Sequence, residues 1–293
     1  MSATFTPTNA TRRRKRRRRL YITGQALIGL VLLIWTLLPL YNMVEVALRA
    51  NGEVFSDSLF PPHPTLMGFW TVLTENYWYV EHFWREMGNS LYIGVATTVL
   101  TLLIGTMTSY VIGRLRIKGA WMVSNAALLT YVIPMSFLAI PFYRVMQNYG
   151  LGDNLWAVIL VEVTFATPYA IFIFTEYGAA LPLALDEAAR VDGCSPFGIY
   201  WRIYLPLMAP AMVAVGVYSL LLAWNEYLYL ILLLSSEKNM TVPVALGKFL
   251  NSDEAPWNLM MATAVIYALP PIAIYYAFRR YMTSGLTMGG VKG

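Results

Sequence analysis

The chain has 293 residues, of which 58% are hydrophobic and 13% charged, and its formal net charge is +5 at neutral pH. Its mean hydropathy of +0.53 excludes an ordinary soluble domain of this length and is typical of an integral membrane protein. The single cysteine, Cys194, excludes a disulfide within the chain, and the two histidines, His63 and His82, lack the spacing of a metal site.

The N-terminal segment is strongly basic, because every residue from 12 to 19 is Arg or Lys. Such clusters also occur in segments that bind nucleic acid or direct a protein to the nucleus. Here the cluster abuts the first apolar run, which favours a topology anchor in contact with anionic lipid and no nucleic-acid partner. No small-x-small cleavage site follows, so we expect an uncleaved signal anchor, preceded by a disordered segment at residues 1–11.

Six apolar runs are long enough to cross a hydrocarbon core, which takes about 20 residues of helix. The fourth run is interrupted by Glu162 and the fifth by Glu226. The sequence therefore predicts an all-α, polytopic integral membrane protein with six transmembrane helices and both termini on one side. The runs cover residues 21–44, 90–113, 119–143, 155–175, 207–234 and 255–278.

The basic residues are distributed unequally between the two sides of this topology. With a cytoplasmic N-terminus, 16 of the 21 lysines and arginines lie on the cytoplasmic side. The positive-inside rule therefore predicts a multi-pass protein of the bacterial inner membrane with both termini in the cytoplasm. The basic residues left outside are Arg49, Arg85, Arg144, Lys238 and Lys248.

The loop between the fourth and fifth runs predicts a pair of short helices. Pro182 suits the first turn of a helix over residues 183–192, and Glu187 lies near the positive end of that helix. Gly193 can adopt the left-handed conformation that ends it. Ser195 and Pro196 then predict the N-cap and first position of a second helix, which should end before Pro206. From the pattern alone, an interfacial amphipathic helix is an equal alternative.

The same loop resembles the cytoplasmic motif of permease subunits of bacterial binding-protein-dependent ABC importers. The motif has the form E-A-A-x-x-x-G-x9-I-x-L-P, and all its anchor positions are filled here. The resemblance implies the type I permease core, in which this coupling loop (178–206) contacts an ATPase. The residues it assigns to coupling are Glu187, Ala188, Ala189, Asp192, Gly193, Leu205 and Pro206.

Three further segments are similar to the carbohydrate-uptake branch, and in particular to the smaller maltose-type membrane subunit. These are Ala-Trp-Asn-Glu-Tyr at 223–227, Thr-Val-Pro-Val at 241–244, and the ending 285–293, where Gly290 replaces the usual Ala. The resemblance covers about residues 89–293, and the basic N-terminal tract lies outside it. Together with the apolar runs, it predicts a basic segment (1–20), a first transmembrane helix (21–48), an extracytoplasmic loop (49–88), a permease core with five transmembrane helices (89–280) and a cytoplasmic tail (281–293).

The resemblance also implies a set of partners. A second permease subunit forms the other half of a heterodimer, two ATPase subunits bind ATP and Mg, and an extracytoplasmic binding protein delivers a sugar or sugar derivative to the outer loops. The loop at 235–256 corresponds to the one that enters the binding protein's cleft. The tail residues Val291, Lys292 and Gly293 are expected to contact the ATPase. The chain has no phosphate-binding G-x-x-x-x-G-K-[ST] loop, so we expect ATP to be bound and hydrolysed by another subunit. No catalytic residue, metal or cofactor is expected in this chain.

Polar groups within apolar runs are candidates for the translocation pathway, because a charge at mid-bilayer costs at least about 2.5 kcal/mol. Glu226 either lines the pathway or stabilises helix packing, and the second role is favoured. Glu162 and Glu45 are expected to reach the membrane interface. Aromatic rings could stack on a sugar, although such rings more often pack against lipid or other helices. The candidates for the pathway are Asn225, Glu226, Tyr218 and Trp224.

Two other classes of function remain as alternatives. A self-sufficient secondary transporter or channel would use Glu226 as a proton or ion site, but no proton-relay set of His, Asp and Glu accompanies it. An intramembrane enzyme would need a catalytic constellation, and the spans contain no Ser/His pair, Asp pair or metal motif.

Overall fold

The computed structural model describes residues 9–115, 117, 119–251 and 255–287, and all regular elements among them are helical. The expectation of an all-α chain is confirmed at the level of secondary structure. In chain order the α-helices are α1 (Asn9–Ala47), α2 (Met67–Leu73), α3 (Phe83–Arg114), α4 (Ala120–Leu129), α5 (Ala139–Asn148), α6 (Leu155–Ala179), α7 (Ala184–Val191), α8 (Pro196–Ile199), α9 (Leu205–Leu207), α10 (Ala209–Trp224), α11 (Leu228–Leu233), α12 (Val242–Phe249) and α13 (Trp257–Thr287).

Four helical segments of the described chain are long and apolar enough to cross a membrane by themselves. Two more candidates are bent pairs, Asn125–Val132 with Met135–Asn148 and Pro196–Leu207 with Ala209–Trp224, so the count is four to six. In the first pair the chain bends by 90° around Pro134, which cannot continue a helical hydrogen-bond ladder. The four single segments are Leu20–Ala47, Phe83–Arg114, Leu155–Ala179 and Trp257–Tyr281.

The observed helices extend beyond several of the predicted boundaries. Helix α1 begins at Asn9 and therefore includes the basic segment, and α3 begins at Phe83, within the stretch assigned to the first outer loop. The fifth predicted run is interrupted, because α10 ends at Trp224 and a new helix, α11, starts at Leu228. At the other end, α13 continues to Thr287.

The chain divides into two compact units, of which the first comprises Met1–Phe69 and Pro256–Val265. At its centre lies Arg49, which is 4% exposed and forms a 2.5 Å ion pair with Glu45. The Arg49 guanidinium also donates hydrogen bonds to the carbonyls of Glu53, Ser56 and Ser58, and thereby organises the segment that follows α1. This pairing keeps the Glu45 carboxylate buried within the protein.

The second unit comprises Trp70–Ala255 and Ile266–Gly293. Its core is formed by α3, α6 and α10, which pack against one another. Small residues permit close approach of α3 and α6: a Cβ added to Gly105 would lie 2.9 Å from the Cβ of Ala170. Glu162 of α6 is fully buried in this unit and its carboxylate oxygens lack hydrogen-bond partners among the described residues.

Candidate functional site

The predicted helix pair is present, and its first member is α7. Two backbone hydrogen bonds end this helix: the Gly193 N–H donates to Arg190 O (3.1 Å), and the Cys194 N–H donates to Ala189 O (2.9 Å). Together they form a Schellman motif, which requires a left-handed residue at the position of Gly193. The φ angle of Gly193 is +81°, so the predicted role of this glycine in the local structure is confirmed.

The second helix starts as predicted but does not end as predicted. The Ser195 side chain accepts a hydrogen bond from the Gly198 N–H (3.2 Å), and Pro196 occupies the first turn. The helix then passes through a π-helical turn at Tyr200–Tyr204 and continues as α9 through Pro206. The prediction that it ends before Pro206 is wrong, because helical structure continues from the π-helical turn into α9, which contains Pro206.

Helix α7 has one face towards its own chain and one face towards solvent. Asp186 and Ala189 are buried, whereas Glu187, Ala188 and Asp192 are exposed. Val191 extends the exposed face with 88% of its surface accessible. The solvent-facing set thus contains three of the residues assigned to coupling. Ala189 instead packs internally, so it does not belong to a surface that a partner can reach.

Three hydroxyl contacts join the second helix to the last turns of α3. Thr106 Oγ1 lies 2.8 Å from Tyr200 Oη, and Ser109 Oγ lies 3.0 Å from Tyr204 Oη. The Tyr110 hydroxyl donates to Pro196 O at 2.9 Å. The coupling loop is therefore attached to α3 by hydrogen bonds at both ends of the π-helical turn and at Pro196.

This combination of a capped helix pair and a bundle of apolar helices matches a known family. The family described as "Binding-protein-dependent transport system inner membrane component" matches residues 102–287. The chain belongs to this family. It is thus a multi-pass inner membrane component of a transport system.

Similar permeases cover nearly all of the chain. The inner membrane ABC transporter permease protein YcjP of Escherichia coli (strain K12) is 32% identical over 90% of this chain and 95% of its own length. The arabinooligosaccharides transport system permease protein AraQ of Bacillus subtilis (strain 168) is 31% identical over 93% and 96%. The trehalose transport system permease protein SugB of Mycobacterium tuberculosis (strain CDC 1551 / Oshkosh) is 30% identical over 92% and 98%.

The fold is also that of a solved importer. A chain in the crystal structure of a bacterial ABC transporter involved in the import of the acidic polysaccharide alginate superposes with a TM-score of 0.76. It is 21% identical, and the match covers 95% of this chain and 99% of that one. A second structure, of the alginate transporter with a pentasaccharide-bound periplasmic protein, gives a TM-score of 0.66 at 16% identity, with 92% and 97% coverage.

The candidate pathway residues of this permease occupy different surroundings. Trp224 is 2% exposed and its ring stacks on Tyr267, at 4.7 Å between centroids. Tyr218 instead packs against the ring of Tyr169, at 4.3 Å. Asn225 is exposed beside Trp224, and both line a cavity of about 350 Å³ with Tyr267 and other residues of α10 and α13.

Glu226 has a local structural role. Its Oε1 accepts a hydrogen bond from the Tyr229 N–H at 2.8 Å, in the first turn of α11. A carboxylate at this position satisfies a free backbone donor and interacts favourably with the helix dipole. This contact accounts for the acidic residue at the break between α10 and α11, and it supports the structural interpretation of Glu226.

Several residues of the site were not found from the sequence. The residues assigned to coupling did not include Asp186, Tyr200, Tyr204 or the polar residues of α3 that contact them. Thr106, Tyr110 and Arg114 nevertheless recur at a spacing of four residues along one helix face. The predicted ATPase-contacting residues Val291, Lys292 and Gly293 lie outside the described residues.

Proposed function

We propose that this chain is the membrane-spanning subunit of an ATP-driven importer for a sugar or sugar derivative, and that it forms half of the translocation pathway. The observation that carries the proposal is the capped helix α7, which exposes Glu187 and Ala188 while its opposite face is attached to the permease core. An exposed carboxylate in the first turn of a short, anchored helix suits docking to a basic or polar surface of an ATPase.

The proposed topology has six spans, with each bent helix pair counted as one. Both termini and the coupling loop then lie in the cytoplasm, and the unequal distribution of basic residues supports this orientation. Leu205 and Pro206 belong to the same cytoplasmic loop and lead into α10.

The proposed assembly contains a second permease subunit, two ATPase subunits that bind ATP and Mg, and an extracytoplasmic binding protein. The tail that contains Val291, Lys292 and Gly293 would extend towards the ATPases. The loop at 235–256 would meet the binding protein, and its first residues are held in place: Ser235 and Ser236 donate backbone N–H bonds to Asp153, and Asn89 donates to Met240 O.

A sugar is the substrate class that the relatives favour, since AraQ and SugB are named for arabinooligosaccharides and trehalose. Tyr218 and Asn225 are the candidates for contact with it along the pathway. Trp224 is too buried to offer a ring face without rearrangement, and Glu226 is already engaged by the backbone of α11.

The test is transport by purified complexes in liposomes that contain the chain, its partner permease and the ATPases, with the binding protein supplied. Glu187→Lys should abolish uptake, because a reversed charge at the positive end of α7 opposes docking, so that the ATPases detach or hydrolyse ATP without transport. Glu176→Lys, a charge reversal of an exposed glutamate outside the coupling loop, is the matched control. Uptake by the chain without ATPases would instead establish the self-sufficient transporter.

A further inference from the structure

Arg114, the last residue of α3, is buried against the coupling loop with only 6% of its surface exposed. Its Nη2 donates a hydrogen bond to Leu181 O at 3.1 Å, three residues before α7 begins. Its Nε lies 3.6 Å from Oδ2 of Asp186, which is itself buried in the first turn of α7. One guanidinium therefore contacts both the segment that leads into α7 and α7 itself.

The Asp186 carboxylate depends on this arginine. Oδ2 of Asp186 has no hydrogen-bond partner among the described residues, and neither has Nε of Arg114. The guanidinium also lies over the ring of Tyr204, 5.7 Å from its centroid. A buried ion pair of this kind contributes little net stability, because desolvation offsets the attraction, but removal of one partner leaves the other charge buried and unpaired.

The polar side chains described above that contact the coupling loop all belong to one helix, α3. Thr106, Ser109 and Tyr110 bond the second helix of the loop, and Arg114 contacts the first. Helix α3 then continues into the membrane-spanning core, where it packs along α6 and α10. The ion pair between Arg114 and Asp186 therefore connects α7 directly to α3, beside the packing of α7 against α8.

We propose that Arg114 is a positioning residue for energy coupling, which holds α7 on α3 through Asp186 and Leu181 so that movement imposed on the exposed face of α7 is transmitted to α3. This inference rests on the proposed function of the coupling loop. Nothing in the coupling motif points to it, because Arg114 lies 73 positions before Glu187 and Asp186 is turned away from the docking face.

The experiment measures the number of ATP molecules hydrolysed per substrate imported by the complete complex in liposomes. In Arg114→Met the neutral side chain fills a similar volume but leaves Asp186 unpaired, and we expect this ratio to rise about tenfold with the ATPases still bound. In Arg114→Lys the charge is kept, but an ammonium lacks the planar fork that reaches both partners, and we expect a rise of about threefold. Arg279→Met, which removes an exposed arginine of α13, should leave the ratio unchanged.

The outcomes separate the inference from the function on which it rests. If the wild-type complex imports substrate without ATP, the proposed function fails whatever the variants do. If the wild type is ATP-dependent and Arg114→Lys keeps the wild-type ratio, Arg114 has no positioning role. If Arg114→Met does not assemble, Arg114→Lys decides, because it retains the charge beside Asp186. Equal losses of uptake and ATP hydrolysis in Arg114→Lys would also overturn the proposal, since they indicate a purely structural role.

Discussion

A Cβ atom added to Gly178 would lie 2.6 Å from the hydroxyl oxygen of Tyr204. Gly178 is near the end of α6, and Tyr204 is the last residue of the π-helical turn in the coupling loop. The absence of a side chain at residue 178 is thus the condition for the Tyr204 hydroxyl to reach Ser109. This contact places α6, α3 and the coupling loop in one packed cluster.

Gly178→Ala should destabilise the protein by about 1 to 3 kcal/mol, because the methyl group displaces Tyr204 and breaks its buried hydrogen bond. Thermal unfolding of the purified permease measures the effect. Gly113→Ala is the matched control, because a Cβ there meets nothing within 4 Å. In the double variant Gly178→Ala/Tyr204→Phe the clashing oxygen is gone, so the two effects should not add. Equal melting temperatures of Gly178→Ala and Gly113→Ala would contradict the steric account.

Gly193→Val should abolish coupled uptake, because a β-branched side chain at φ +81° costs about 1 to 2 kcal/mol and shifts the end of α7. Gly193→Asn should retain most of the uptake, since asparagine adopts left-handed conformations more readily. A Cβ at this position would meet nothing within 4 Å, so neither variant is affected by crowding. A difference in uptake between the two variants therefore reports backbone strain. Similar uptake by both variants would show that the left-handed cap is not needed.

Asp153→Asn should weaken the attachment of the loop that begins at Ser235. Backbone hydrogen bonds, first from Ser236 and then from Ser235, lower the pKa of Asp153 from 3.8 to about 2. A lowered folded-state pKa stabilises the protein above pH 4, and the contribution disappears as the pH falls from about 4 to about 2. Because the group is partly exposed, we expect about 1 kcal/mol at neutral pH.

The measurement for Asp153 is the melting temperature of the wild type and of Asp153→Asn as a function of pH. Asparagine is a suitable replacement, because the φ of Asp153 is +52° and asparagine tolerates this region. The wild type should be more stable at pH 7, and the difference should vanish near pH 2. A difference that persists unchanged to pH 2 would mean that the charge of Asp153 is not its source.

Cysteine labelling should place Trp78 outside and Phe197 in the cytoplasm. Both side chains are exposed, at 62% and 67%, so each position is accessible to a reagent. In a Cys194→Ser background, Trp78→Cys should react with a membrane-impermeant maleimide in intact cells. Phe197→Cys should react only after permeabilisation. Labelling of Phe197→Cys in intact cells would reverse the proposed orientation.

The local structure of the coupling loop could be predicted from the sequence because its determinants are local. The cap at Gly193 and the N-cap at Ser195 depend on hydrogen bonds between residues at most five apart, and such bonds are specified by residue type and spacing. The apolar runs were equally informative about the membrane helices. A membrane helix must form its backbone hydrogen bonds within itself, and the thickness of the bilayer sets the length of that helix. Together with the motif, the capping residues and the apolar runs were sufficient to identify the family.

The orientation of the helices relative to one another could be learned only from the tertiary structure. Adjacent residues of α7 have opposite environments, with Asp186 buried and Glu187 exposed, and no local rule specifies how an eight-residue helix is rotated. In the observed rotation Asp186 faces Arg114, a residue of another helix 72 positions away in the chain. Glu162 illustrates the same limit, because its burial results from packing in the second unit and not from its neighbours in sequence. Capping joins residues that are close in the sequence. The burial of a charge instead depends on which residues, distant in the sequence, pack against it in the folded protein.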